Sequence, residues 1–179
     1  GLLVVLMATL ASASLMTSPR DELDHSAEAL AGTMRMAMAE SALQGRRFRL
    51  AWDEESAALK IEVETEPLAA PGTFSPYTKR RWARDILRPG VAVASMALRD
   101  DSAINILDLN YSAIAAATTF GGPASEASFA PIVFYPDGRC DASEITLRHT
   151  ALPARRALLT CDAITSTITI ESALGEDDQ

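Results

Sequence analysis

The chain begins with a run whose every side is apolar. Leu2, Leu3, Val4, Val5, Leu6, Met7, Ala8, Leu10 and Ala11 are interrupted only by Thr9, and no charge occurs before Arg20. From Asp21 the pattern changes. Leu23, Ala27, Leu30, Met34, Ala37 and Ser41 recur at helical spacing, while Asp24, Glu28, Arg35 and Glu40 fall mostly elsewhere. The spacing predicts one helical region over residues 1–45, apolar all round in residues 1–16 and amphipathic in 17–45. An all-round apolar end must sit in lipid, among neighbouring helices or in a core. Whatever follows has to accommodate it.

The uncharged run to Met16 is shorter than the ~20 residues that span a bilayer and carries no basic segment like that of a signal peptide, although Ala11, Ser12 and Ala13 resemble a cleavage site. Two readings stay open: the last part of a membrane anchor, which is preferred, and a buried hydrophobic helix. Ser18 and Pro19 either kink the helix or start its second part, with Ser18 as N-cap, Pro19 in the first turn and Glu22 completing the capping pattern. Gly45 suits the C-cap.

With 179 residues and 48% hydrophobic content, the chain supports one domain beside the helix. Its net charge of −8 argues against binding nucleic acid through bulk charge. Cations cluster at Arg46 and Arg47 and at Lys79, Arg80, Arg81 and Arg84, where solvation explains them.

From Phe48 the period becomes two, which predicts a β domain over residues 46–172. Residues 48–52 form a strand, and Leu59, Ile61 and Val63 alternate with Lys60, Glu62 and Glu64 as its hairpin partner, wet on one face and packed on the amphipathic helix. Pro67, Pro71, Gly72 and Pro76 mark a loop. Residues 82–87 form a helical turn stopped by Pro89 and Gly90. Residues 91–98 make a strand buried on both faces, and residues 104–109 another. Gly121, Gly122 and Pro123 belong to a mobile loop. Residues 131–136 form a strand, Asp137 and Gly138 a tight turn, and residues 143–148 the returning strand. Residues 156–161 and 166–171 make a last hairpin with Ile168 and Ile170 inward. Residues 173–179 form an acidic, disordered tail.

No reaction motif emerges. His25 and His149 lack partners at ligand spacing and are expected on the surface. Phosphate-loop, dinucleotide and nucleophile-elbow patterns do not occur. Asp53, Glu54, Glu55, Asp100 and Asp101 sit in turns without the ligand alternation of a calcium loop. The expectation is therefore no enzyme, no catalytic residue, no cofactor and no metal. Cys140 and Cys161 are a candidate disulfide. Their pairing would close a loop of about 20 residues and contribute about 3 kcal/mol; the anchor reading, which puts the domain outside the cytoplasm, favours it over two buried thiols.

An apolar N-terminal helix that continues into Ser18-Pro19-Arg20-Asp21-Glu22-Leu23-Asp24, then Ala27-Glu28, Leu30-Ala31-Gly32 and Glu40-Ser41-Ala42-Leu43 before a first strand, resembles the minor pseudopilins of type II secretion, closest to the H-type (GspH/FimT-like) kind. Trp82 with Leu87, Pro89-Gly90-Val91, and Phe134-Tyr135-Pro136-Asp137-Gly138 before Ile145-Thr146-Leu147 are similar to that family as well. The resemblance implies an α+β, pilin-like fold, with the long N-terminal helix packed on an antiparallel β-sheet or sandwich. It implies a non-enzymatic subunit of the periplasmic pseudopilus, anchored in the inner membrane, cleaved and methylated by a prepilin peptidase, with other pseudopilins and the secretion machinery as partners. The family's Gly-Phe-Thr-Leu-x-Glu processing segment is absent from these residues. Under this reading Leu3, Leu6, Ala8, Leu10, Ala11, Ser12, Asp21, Glu22 and Asp24 make up the helix assembly surface. Small residues there permit close helix approach, and the acidic ones meet cations on a neighbour. A minor type IV pilin for adhesion or DNA uptake and a membrane-anchored extracytoplasmic binding module are the alternatives.

Overall fold

A computed structural model describes residues 18–99 and 129–174. Helix α1 runs over Pro19–Gln44. The Ser18 backbone is extended and its Oγ accepts from the Asp21 N–H at 3.2 Å, so the described helix starts at Pro19 with a Ser cap. Glu22 does not complete a capping box, because its carboxylate turns instead to His149. At the far end Gly45 adopts φ 64° and its N–H returns to the Ser41 carbonyl at 2.9 Å.

Strands β1 (Phe48–Asp53), β2 (Ala58–Glu64), β3 (Phe74–Pro76), β4 (Val91–Leu98), β5 (Ile132–Phe134), β6 (Ser143–His149), β7 (Leu152–Cys161) and β8 (Ile168–Leu174) follow, with a 3-10 turn at Arg81–Ala83 between β3 and β4. They form two antiparallel sheets, ordered β3-β2-β1-β5 and β4-β6-β7-β8. The β1–β2 hairpin pairs Leu50 with Ile61 and Trp52 with Leu59, placing both apolar sets on one face. Helix α1 touches β1 and β5 of the first sheet and all four strands of the second, so it closes the core shared by the two layers. Leu23, Ala27, Leu30, Met34 and Met38 are buried there with Phe48, Leu50, Ile61, Ile132, Phe134, Ile145, Leu147 and Leu159. Each large side chain contributes about 1.5–3 kcal/mol. The architecture is the expected α+β one.

Several expected details differ. Residues 131–136 and 143–148 are not a hairpin: β5 pairs with β1 while β6 pairs with β4 and β7, so the chain changes sheets between them. The Gly138 turn, at φ 86°, serves that crossing. Strand β2 is not wet on one face. Glu62 and Glu64 are 5% and 1% exposed because Arg49 of the neighbouring strand and Arg47 just before it pair with them and β3 lays Phe74 alongside. Strand β4 buries one face and only half-buries the other. The 82–87 turn shrinks to Arg81–Ala83. Glu40, expected off the apolar face, is buried, as is His149. Strand β8 continues through Leu174, so an acidic tail would start after it. The strand expected at 104–109 and the loop with Gly121 lie outside the described residues.

Candidate assembly surface

Two of the three acidic residues near the start of α1 are engaged within the chain. Glu22 lies 2.9 Å from Nε2 of His149, whose Nδ1 accepts the Ala151 N–H at 3.0 Å. With Nδ1 accepting, the ring proton sits on Nε2 and is donated to Glu22. Gly90 closes this corner: at φ 83° its carbonyl accepts the Thr150 N–H at 2.8 Å, and a β-carbon there would come within 2.8 Å of Nε2. Asp24 accepts from Ser172 Oγ at 3.2 Å and has Arg155 and Arg20 each at 4.0 Å. Asp21 is the member of the three whose carboxylate stays exposed without a described ion pair. Leu3, Leu6, Ala8, Leu10, Ala11 and Ser12 lie outside the described residues. Among the described residues no helix is long and apolar enough to cross a membrane.

The segment between β3 and β4 lies along α1 as a strap, from the helix C-terminus back to its start. Tyr77 donates to Glu40 at 2.8 Å and Gln44 donates to the same carboxylate oxygen at 2.6 Å. Both bonds hold Glu40 below the usual carboxylate range, Tyr77 most strongly. Further along, Thr33 donates to the Trp82 carbonyl at 3.2 Å and the Arg88 N–H donates to Ser26 Oγ at 3.1 Å. Buried hydroxyls at Ser26 and Thr33 thus satisfy strap backbone groups in an otherwise apolar contact. Sequence reading missed the strap. Its signal was the polar set Ser26, Thr33 and Glu40 on one helical side, a spacing of seven.

Cys140 and Cys161 are joined, linking the turn after β5 to the end of β7 and therefore one sheet to the other. Near this staple Asp141 accepts from the Val133 N–H at 2.9 Å and from the Tyr135 hydroxyl at 3.0 Å. Burial raises both groups, and the adjoining Asp141 charge raises Tyr135 further. On the outer face of the first sheet the Arg49 guanidinium sits 4.2 Å from the Phe74 ring centre, and Arg47 binds Glu64 through two nitrogens. Among the described residues no group of three or more His, Cys, Asp or Glu side chains could hold a metal ion.

A capped helix closing two antiparallel sheets into one core is a pilin-like fold. Two solved structures have it. Both are of the minor pseudopilin EpsH from the type II secretion system of Vibrio cholerae. One is 16% identical at a TM-score of 0.55, over 90% of this chain and 100% of that one. The other is 14% identical at 0.53, over 85% and 98%. At such identities the likeness establishes the fold. The type IV minor pilin FimU of Pseudomonas aeruginosa (strain PAO1) is 15% identical over 85% of this chain and 90% of that one, at a TM-score of 0.45. No family model and no curated protein matches the sequence.

Proposed function

We propose that this chain is a minor pseudopilin, a structural subunit of the periplasmic pseudopilus of a type II protein secretion system. Residues 1–16 hold it in the inner membrane, residues 17–45 extend the helix, and the β domain stands in the periplasm. It acts by helix packing, without catalysis, and its partners are other pseudopilins and the secretion machinery rather than nucleic acid. The observation that carries this reading is the EpsH fold, matched across 90% of the chain, on a helix preceded in sequence by an uncharged apolar run.

In this reading Leu3, Leu6 and Leu10 supply neighbour-facing bulk, and Ala8, Ala11 and Ser12 the close approach on which helix association in lipid depends. A photo-crosslinking residue at Leu6, and separately at Ala11, in cells that assemble a type II system is expected to give adducts with other pseudopilins. Well-expressed chain that gives adducts only with lipid would refute the proposal.

A further inference from the structure

The outward side of α1 is apolar over its second half. Ala29, Gly32, Met36, Ala39 and Leu43 follow each other at steps of three and four, which puts them in one row. Met36 is 45% exposed and Leu43 78%, two of the large apolar side chains left exposed among the described residues and the two that share one helix face. From Ala29 to Leu43 the row runs about 21 Å at the helical rise.

Beside this row the strap forms the wall of a groove lined by Gly32, Met36, Arg81, Trp82 and Arg84. Lys79, Arg80, Arg81, Arg84 and Arg88 are all exposed, with Asp85 as the single anion between them. Arg80 lies 3.9 Å from Glu40, and Arg84 bonds the Thr78 carbonyl. Lys79, Arg81 and Arg88 make no ion pair among the described residues. A chain of net charge −8 therefore carries a local ridge of positive charge, held along an exposed apolar row by the bonds that Glu40 and Ser26 accept from the strap and that Thr33 donates to it.

The geometry points to a docking surface for one kind of partner: an amphipathic helix of another protein, apolar on the side that meets Met36 and Leu43 and acidic along the edge that meets the strap. An apolar row selects a helix with apolar residues at heptad spacing, and the cations select its flank and exclude a basic one. The surface is built entirely from described residues, between Ala29 and Arg88, so it operates whether or not the chain joins a secretion filament.

The test uses the full chain in neutral-detergent micelles and a labelled helical peptide of about three heptads, with Leu at the seam and Glu on the flanks. A peptide with Lys in place of Glu is the control, equally apolar and so equally drawn to the micelle. Fluorescence anisotropy is expected to show saturable binding of the Glu peptide, about tenfold tighter than the Lys peptide and weaker with added salt. Met36→Glu and the pair Lys79→Glu with Arg81→Glu, all at exposed positions, should each weaken it about tenfold while leaving thermal unfolding unchanged. Equal uptake of the two peptides, or affinity indifferent to these variants, overturns the inference. So does capture of phosphatidylserine vesicles by the strap cations with no preference for the Glu peptide.

Discussion

Gly90→Ala should destabilise the fold far more than a surface methyl ordinarily would. Two effects add. A β-carbon at φ 83° enters the left-handed region, at about 1–2 kcal/mol. It would also lie 2.8 Å from His149 Nε2 and 3.1 Å from Cε1, closer than contact permits. The His149 side chain is 7% exposed and has little room to retreat, so the bond to Glu22 breaks. Losing that bond costs about 1–3 kcal/mol, toward the low end here because the carboxylate can rehydrate; the Glu22 side chain keeps 33% of its surface exposed. The sum is about 2–4 kcal/mol, a fall in Tm of roughly 5–15 °C for a chain of this length. Circular dichroism melts of wild type, Gly90→Ala, His149→Ala and the double variant measure it. In the His149→Ala background the glycine substitution should cost only the backbone part, about 1–2 kcal/mol. A Gly90→Ala protein within 0.5 kcal/mol of wild type, about the scatter of neutral surface changes, would refute the reasoning, as would strict additivity.

The inter-sheet disulfide should contribute about 3 kcal/mol by loop closure, so Cys140→Ser with Cys161→Ser should lower the denaturant midpoint and abolish any effect of dithiothreitol on unfolding. Acid should destabilise the protein through Glu64 and Glu40. Glu64 is held below its usual 4.5 chiefly by the Arg47 guanidinium, against the upward pull of burial; Glu40 is lowered by Tyr77 first. A depressed carboxyl stabilises the fold above its unfolded value, and that stability is lost as pH falls through the folded value. Stability should therefore drop below about pH 4.5, with a shallower slope in Glu64→Gln. Asp141, raised by burial, has the opposite sign: its contribution is present at low pH and lost as pH rises through its folded value, so Asp141→Asn should flatten stability on that side in urea titrations.

Much of the fold was legible because it rests on periodicity and caps. The row from Leu23 to Met38, the β1–β2 hairpin and the Gly45 stop are local signals, and each appears as expected. Pairing across sheets was not legible. Asp137 and Gly138 form the expected tight turn, yet β5 leaves it for a different sheet from β6, a choice made by where Ile132 and Phe134 find burial against β1. Charge also misled. Glu40, Glu62, Glu64 and His149 read as surface residues, and each is buried through partners distant in sequence: Tyr77, Arg49, Arg47 and Glu22. The assembly surface was half legible. Asp21, Glu22 and Asp24 are at the helix start as expected, but two of them bond within the chain, and the basic strap became meaningful only once it lay against α1.

The central claim is that residues 1–16 pack this subunit into a secretion filament. The direct measurement is the distribution of type II substrates between medium and periplasm in a strain lacking this chain, complemented with wild type or with Ala8→Phe and Ser12→Phe together. Phe at both positions removes the close approach on which helix association in lipid depends and leaves the described domain, from Ser18 onward, untouched. The account predicts that wild type restores release to the medium, whereas the variant, expressed at the same level and folded, leaves the substrates in the periplasm. Release at the wild-type level by the Phe variant would contradict it.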